Sequence, residues 1–409
     1  MRPRTHATSH PRRPPLAILV AISALQPFAL NVLAPATPGL SRALSVDYAT
    51  VQLTLTIYLV AVAATQLFVG PISDRIGRRP CILAGAALFL VGSIMGAVAT
   101  GIETLILARA IQAAGGGTCF ALARAVVRDT ASKDESASLI GYITMAMVVS
   151  PMVAPLFGGF LDERFGWRAI FVATAILAAG VGVAIVLLLG ETAPRTASSS
   201  IVTTLRGFPR LLADRLFLAH TFALAFTSAA FFGFIAGAPY VVVETMGRSA
   251  DVYGAYFILS AGGYMAGNFL TGRYGRRIGT DRMILVGTFC SVLSTALALA
   301  FALAGPPLGV PWTPAALFLP LTLNAVANGL SIPSATAAAL SVRPDLAGTA
   351  AGLAGSAQLG TGALAALVVG DLVTRWPPAL VVVMLGATVV GFAAAVAARR
   401  IEAGRLTRA

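Results

Sequence analysis

Twelve apolar runs of roughly 20 residues follow one another along the chain, each long enough to cross a hydrocarbon core. They occupy Leu16–Ala36, Thr50–Gly70, Cys81–Ala99, Thr104–Val127, Ser138–Phe160, Ala169–Leu189, Phe217–Val243, Gly254–Gly272, Met283–Ala304, Pro314–Leu340, Ala347–Gly370 and Pro378–Ala398. Inside lipid the backbone must satisfy its own polar groups, so each run is expected to be a helix. A soluble protein needs polar faces to meet water, and twelve such runs in 409 residues leave almost none. The composition agrees, with 57% hydrophobic and only 11% charged residues. The fold class is all-α integral membrane.

The scarce charge is mostly basic and falls on alternate connections. Arg75, Arg78 and Arg79 follow the second run, Arg124, Arg128 and Lys133 cluster about the end of the fourth, and Arg273, Arg276, Arg277 and Arg282 follow the eighth. The intervening connections hold only Arg42, Arg164, Arg168, Arg248 and Arg375. This asymmetry places both termini in the cytoplasm and accounts for the net charge of +13. Nucleic acid is not an expected partner, because no single basic face or aromatic platform accompanies the charge. The Arg12-Arg13 start is read as the flank of an uncleaved first helix, since no small-residue cleavage site follows closely. Cys81, Cys119 and Cys290 form no disulfide framework or metal spacing. His220, near the inner end of the seventh run, reads as a lone structural histidine.

The chain repeats itself. "DRIGRRPCILAG" from Asp74 has a relative in "GRYGRRIGTDRMILVG" from Gly272, with Gly77 matching Gly275 at an offset of 198 (275 − 77). The organisation expected is a tail (1–15), a six-helix bundle (16–190), a polar linker (191–215), a second six-helix bundle (216–398) and a tail (399–409). Two related six-helix bundles imply a transporter with its site at their interface, near the bilayer midplane.

Particular stretches carry a resemblance. "GPISDRIGRRP" after the second run is similar to the signature loop of the major facilitator superfamily. "ARAIQAAGGG" in the fourth run is similar to that superfamily's embedded Arg followed by Gln. "SPMVAPLFGGFL" in the fifth resembles the Pro-x-x-Gly-Gly motif of its drug antiporters, here Pro155, Gly158 and Gly159. With "NVLAPATPGL", "VQLTLTIYLVAVAATQL" and "AGTAAGLAGSAQLGTGAL", the chain resembles the Bcr/CflA branch, which includes exporters of bicyclomycin and phenicols. The resemblance implies two pseudo-symmetric bundles and a proton-driven exporter without bound cofactors, monomeric in the inner membrane. It also implies a latch in the loop of Gly70, Asp74, Arg75, Gly77, Arg78 and Arg79. Gly70 and Pro71 are expected to end the second helix. Gly77 is expected to permit a tight turn, and Asp74 to dock at the amino terminus of the eleventh helix.

Arg109 is the one basic residue well inside an apolar run, and buried charge in a membrane marks a functional site. Gln112 shares its face. Asn31 lies at similar depth on the first helix, which Pro35 should kink. The cavity candidates are Asn31, Tyr58, Arg109, Gln112, Met145, Phe231, Phe232 and Gln358, with Arg109 also assigned to proton coupling. The family places an Asp where this chain has Asn31, and no Asp or Glu lies in the middle of any run. The expected substrates are therefore small amphipathic compounds, neutral or weakly polar, rather than lipophilic cations. A facilitator with weak coupling and a non-transporting receptor on the same fold are the alternatives. An enzyme is not expected, since no metal cluster, nucleophile elbow or nucleotide loop is present.

Overall fold

The structure, a computed structural model, describes residues 14–130, 149–150, 153–192, 201–304, 307, 311–343 and 346–406. The amino half begins with α1 (Leu16–Val32), a 3-10 turn at Ala34–Ala36 and α2 (Thr37–Leu44). It continues with α3 (Tyr48–Ile76), α4 (Arg78–Ala97), α5 (Ile102–Thr130), α6 (153–165) and α7 (Arg168–Leu188). The connection carries α8 (Ile201–Leu212). The carboxy half holds α9 (Arg215–Tyr240), α10 (Ala250–Ile278), α11 (Thr280–Ala304), α12 (Pro314–Ser341), α13 (Ala347–Arg375) and α14 (Ala379–Leu406). Among the described residues ten helical stretches are long and apolar enough to cross a membrane. Most of the fifth run, including Met145, lies outside the described residues.

Two faces of the bundle can be distinguished. One, the linker face, carries α8 and the α3/α4 and α10/α11 junctions; the other carries α2, the α6/α7 turn and the α13/α14 turn. Several sequence expectations shift. The first span runs on to Leu44, because the Ala34–Ala36 turn absorbs Pro35 and the helix resumes with Pro38 near its start, where no backbone donor is needed. The second helix does not stop at Gly70-Pro71; α3 continues to Ile76, since a single proline removes only one backbone hydrogen bond from a 29-residue helix. The true break is Gly77, at φ 112° and ψ 152°, a conformation that only glycine adopts without strain. The linker is not wholly irregular: α8 lies within it and buries Leu211 against the carboxy half.

The repeat also changes register. The counterpart of Gly77 by its place between two helices is Gly279, which closes α10 at φ 90°, an offset of 202 (279 − 77). The Gly-Arg-Arg match at 275–277 lies about one helical turn earlier, inside α10.

On the face opposite the linker the halves are joined. Tyr48 Oη donates to the Ala236 carbonyl at 2.5 Å, and the Tyr48 and Tyr240 rings lie 4.7 Å apart. Arg42 of α2 pairs with Glu244. The consecutive glycines of α6 serve two different neighbours. A Cβ at Gly158 would collide with the Val32 carbonyl, where α1 ends; one at Gly159 would lie 2.8 Å from the Ala250 carbonyl oxygen of α10. Gly254 answers from α10, packed on the Pro155 carbonyl.

Candidate functional site

Arg109 is 2% exposed and sits among α1, α3 and α5. One guanidinium nitrogen donates to the Ala29 carbonyl at 2.9 Å and to Gln112 Oε1 at 2.7 Å. Its carbon lies 4.1 Å from the centroid of the Tyr58 ring, a cation–π contact in a dry setting. Tyr58 is held in turn by donating to the Gln26 carbonyl at 3.0 Å. Gln112 Nε2 donates to Ser93 Oγ at 2.8 Å, so its carbonyl oxygen stays turned to Arg109. Arg109 has no carboxylate partner among the described residues, and its Nε donates to nothing. The charge is therefore buried, solvated by dipoles and a ring face, and uncompensated by an acid.

Around it lie unpartnered polar atoms. Asn31 Nδ2 donates to the Pro27 carbonyl one turn earlier at 2.8 Å, and Asn31 Oδ1 is buried without a partner. Both polar atoms of the Gln52 amide are in the same condition. A small cavity is lined by Leu30, Leu33, Thr37, Gln52, Leu55 and Arg109, with Ile235 reaching in from the carboxy half. Each orphaned group costs of order 1–3 kcal/mol unless a ligand or water meets it.

Two charge clusters stand on the linker face. In the amino half, Arg78 bonds Asp74 at 2.6 Å, Asp129 of α5 at 2.9 Å and Ser73, tying α3, α4 and α5. Glu191, beyond α7, accepts the backbone N–H groups of Arg78 and Arg79 at 2.8 and 3.3 Å and so caps α4. In the carboxy half, donor atoms of His220, Asp281 and Glu402 lie within 4.8 Å of one another, the one such group among the described residues with the spacing to share a metal ion. His220 is thus not alone; the three come from α9, α11 and α14, a meeting that no local spacing in the sequence displays. On the opposite face Asp162 lies against Gly39 of α2. Burial, with Glu163 adding to it and Arg42 opposing, pushes its carboxyl up to about 6.

A family model described as Major Facilitator Superfamily matches residues 19–366. The chain belongs to the Major Facilitator Superfamily. It is 31% identical over 361 residues to "Multidrug resistance protein D" of Escherichia coli (strain K12), covering 86% of this chain and 87% of that protein. It is 27% identical over 356 residues to "Bicyclomycin resistance protein homolog" of Haemophilus influenzae, with 86% and 87% covered. A POT family transporter solved in complex with 5-aminolevulinic acid shares the fold at a TM-score of 0.74 and 14% identity, over 96% of both chains. The family and the fold are those of membrane transporters of small molecules rather than of enzymes.

Against the superfamily frame, Asn31, Tyr58, Arg109 and Gln112 form one neighbourhood, with Asn31 joined through α1 rather than by direct contact. Gln358 and the phenylalanines stand apart from it. Gln358 Nε2 donates to Ser228 Oγ at 2.8 Å, joining α13 to α9. Phe232 is buried against Gly362 of α13, and Phe231 packs on Phe232 with ring centroids 5.6 Å apart. Of the loop residues, Asp74 and Arg78 pair within their own half, while Arg75 is exposed and Arg79 donates to the Val186 carbonyl. Gln52, Glu191 and Asp162 were not singled out as site residues from sequence. Gln52 sits in an ordinary apolar run, and Glu191 and Asp162 read as loop or helix-end acids.

Proposed function

We propose that this transporter exports small amphipathic drugs or metabolites that are neutral or carry an acceptor-rich or acidic group, by alternating access across the bacterial inner membrane. The observation that carries the reading is Arg109: a buried guanidinium with no acid partner among the described residues, flanked by the partnerless Oδ1 of Asn31 and the partnerless amide of Gln52. A cationic substrate would meet that charge without a carboxylate to offset it. A carbonyl, nitro or carboxylate oxygen would meet donors already in place. The names of the drug-resistance relatives support export as the direction.

The seal on the face opposite the linker corresponds to a form closed toward the outside, with the linker face and both termini cytoplasmic, as the distribution of arginines implies. Energy comes from the proton gradient, and the chain works as a monomer without a bound cofactor. With an amide at position 31, the acid on the sealed face held nearest neutrality is Asp162, packed against Gly39 of its own half, rather than a residue of α1. A facilitator with weak coupling is the second reading, favoured by the same amide. Uptake into inverted vesicles separates the two: a proton-coupled exporter accumulates a neutral phenicol-type substrate only under an imposed pH gradient. Asn31→Asp should add pH dependence and favour cationic substrates. An unchanged profile and preference in Asn31→Asp would remove position 31 from the substrate site.

A further inference from the structure

The carboxy half carries on its linker face a cleft of ≈ 560 Å³ whose lining shares no residue with the Arg109 cavity. Its basic lining is Arg210 of α8, Arg215 at the start of α9, Arg343 just after α12, and Arg400 and Arg405 in the last turns of α14. The one acid in the lining, Asp214, is already engaged. It accepts the N–H groups of Leu216 and Phe217 at 2.9 and 3.3 Å, capping α9, and it pairs with Arg405 at 2.8 Å and Arg343 at 3.8 Å. Burial pulls its carboxyl upward, but those N–H groups and Arg405 outweigh burial and hold it below the usual carboxylate value. Arg210, Arg215 and Arg400 are exposed and have no acid partner among the described residues.

Five guanidinium groups therefore face one carboxylate that is itself committed to a helix end. Guanidinium forks match phosphate oxygens in paired, charge-assisted hydrogen bonds. The cleft also has an apolar side. Ala213 and Ile401 line it, and Leu212 beside it on amphipathic α8 is 51% exposed. It lies at the linker-face ends of α9, α12 and α14, each of which contains a stretch long and apolar enough to cross a membrane. A free anion would use only the charge; a phospholipid would use the charge and the apolar rim together.

We propose that this cleft binds the headgroup of an anionic phospholipid of the surrounding leaflet. The lipid would bridge the linker helix to the ends of α9, α12 and α14. It neutralises three arginines that have no acid partner among the described residues. The site is separate from the Arg109 neighbourhood, and lipid binding is read without reference to transport.

The test is native mass spectrometry of the purified full chain titrated with phosphatidylglycerol, with phosphatidylcholine and with inorganic phosphate. The native protein should retain phosphatidylglycerol in preference to phosphatidylcholine. The triple variant Arg210→Gln, Arg215→Gln, Arg400→Gln leaves the Asp214 pairs in place and should lose about a hundredfold in affinity, on the order of fivefold per arginine. Arg400→Gln alone, the milder change, should lose about fivefold. A control removing three exposed arginines elsewhere on the same face (Arg273→Gln, Arg277→Gln, Arg282→Gln) should bind as the native chain does. Equal retention of both lipids, native affinity in the triple variant, or an equal loss in the control would each overturn the site. Full displacement of the lipid by millimolar inorganic phosphate would overturn the lipid as its occupant.

Discussion

Adjacent glycines on α6 should have opposite consequences when each receives one methyl group. In Gly159→Ala the new Cβ would lie 2.8 Å from the Ala250 carbonyl oxygen and 3.1 Å from Asp251 Cα, against 3.4–4 Å for ordinary contact. Both atoms are backbone of the other half, so neither can swing aside. Overpacking of this kind costs about 1–3 kcal/mol. The cost falls only on the form in which α6 meets α10, so the equilibrium should move away from the sealed form by roughly 5–150-fold. In Gly158→Ala the methyl meets the Val32 carbonyl and the Pro35 ring, both in its own half. That cost is present whether the seal is open or closed, so thermal stability should fall with no change in opening. Pulsed EPR distances between spin labels at Arg164 and Arg248, both exposed on the sealed face, read the opening directly. The three native cysteines are first replaced. A native distance distribution in Gly159→Ala, or opening in Gly158→Ala equal to that in Gly159→Ala, would refute the division of labour between the two glycines.

Arg109→Lys should lower transport by about 10–100-fold, because an ammonium on a thinner stem cannot serve Ala29, Gln112 and the Tyr58 face together; uptake near the native rate would reduce Arg109 to a point charge. Gly77→Ala should destabilise the chain by about 2–4 kcal/mol, from strain at φ 112° and from a Cβ only 2.5 Å from Glu191 Oε2 that disturbs the cap on α4. A thermal melt in detergent unchanged from native would contradict it. The Asp162 carboxyl, pushed up to about 6 from its ordinary 3.8 chiefly by burial, costs the folded chain stability when ionised. That cost is present above about pH 6 and is relieved as the group protonates on acidification. Lowering the pH from 7 through 6 should thus raise the melting temperature in detergent, and Asp162→Asn should abolish that part of the dependence; an identical pH profile in the variant would refute it.

Element existence was legible because lipid leaves the backbone few options: a run of apolar residues long enough to span becomes a helix almost regardless of its details. Helix ends were less legible, because they depend on which groups meet them. Gly70-Pro71 carries the stronger turn signal, yet the chain turns at Gly77, where Glu191 arrives from more than a hundred residues away to accept the amides of Arg78 and Arg79. Arg109 was legible because a charge in an apolar run has no bland surroundings. Its solvation was legible only in part: Gln112, one turn along the same helix, was foreseen, but the carbonyl of α1 and the ring of α3 are brought to it by packing alone.

The two halves show why the repeat in the sequence misleads. Glu191 and Glu402 stand in equivalent places beyond or within the last helix of each half, 211 residues apart (402 − 191), as do the starts of α7 and α14 at Arg168 and Ala379. In the amino half that glutamate meets free backbone amides and caps α4. In the carboxy half the position of Arg79 is taken, in the structural register, by Asp281 (281 − 79 = 202), and Glu402 meets a second carboxyl and His220 instead. The scaffold places a glutamate against a helix start twice, but the chemistry it meets differs. The sequence match at 198 pairs arginines with arginines and hides this; only the four-residue shift to Gly279 brings Asp281 opposite Glu402 into view. One copy of the junction has become a cap that fixes α4 to α7, while the other has become a cluster of three ionisable groups that joins α9, α11 and α14.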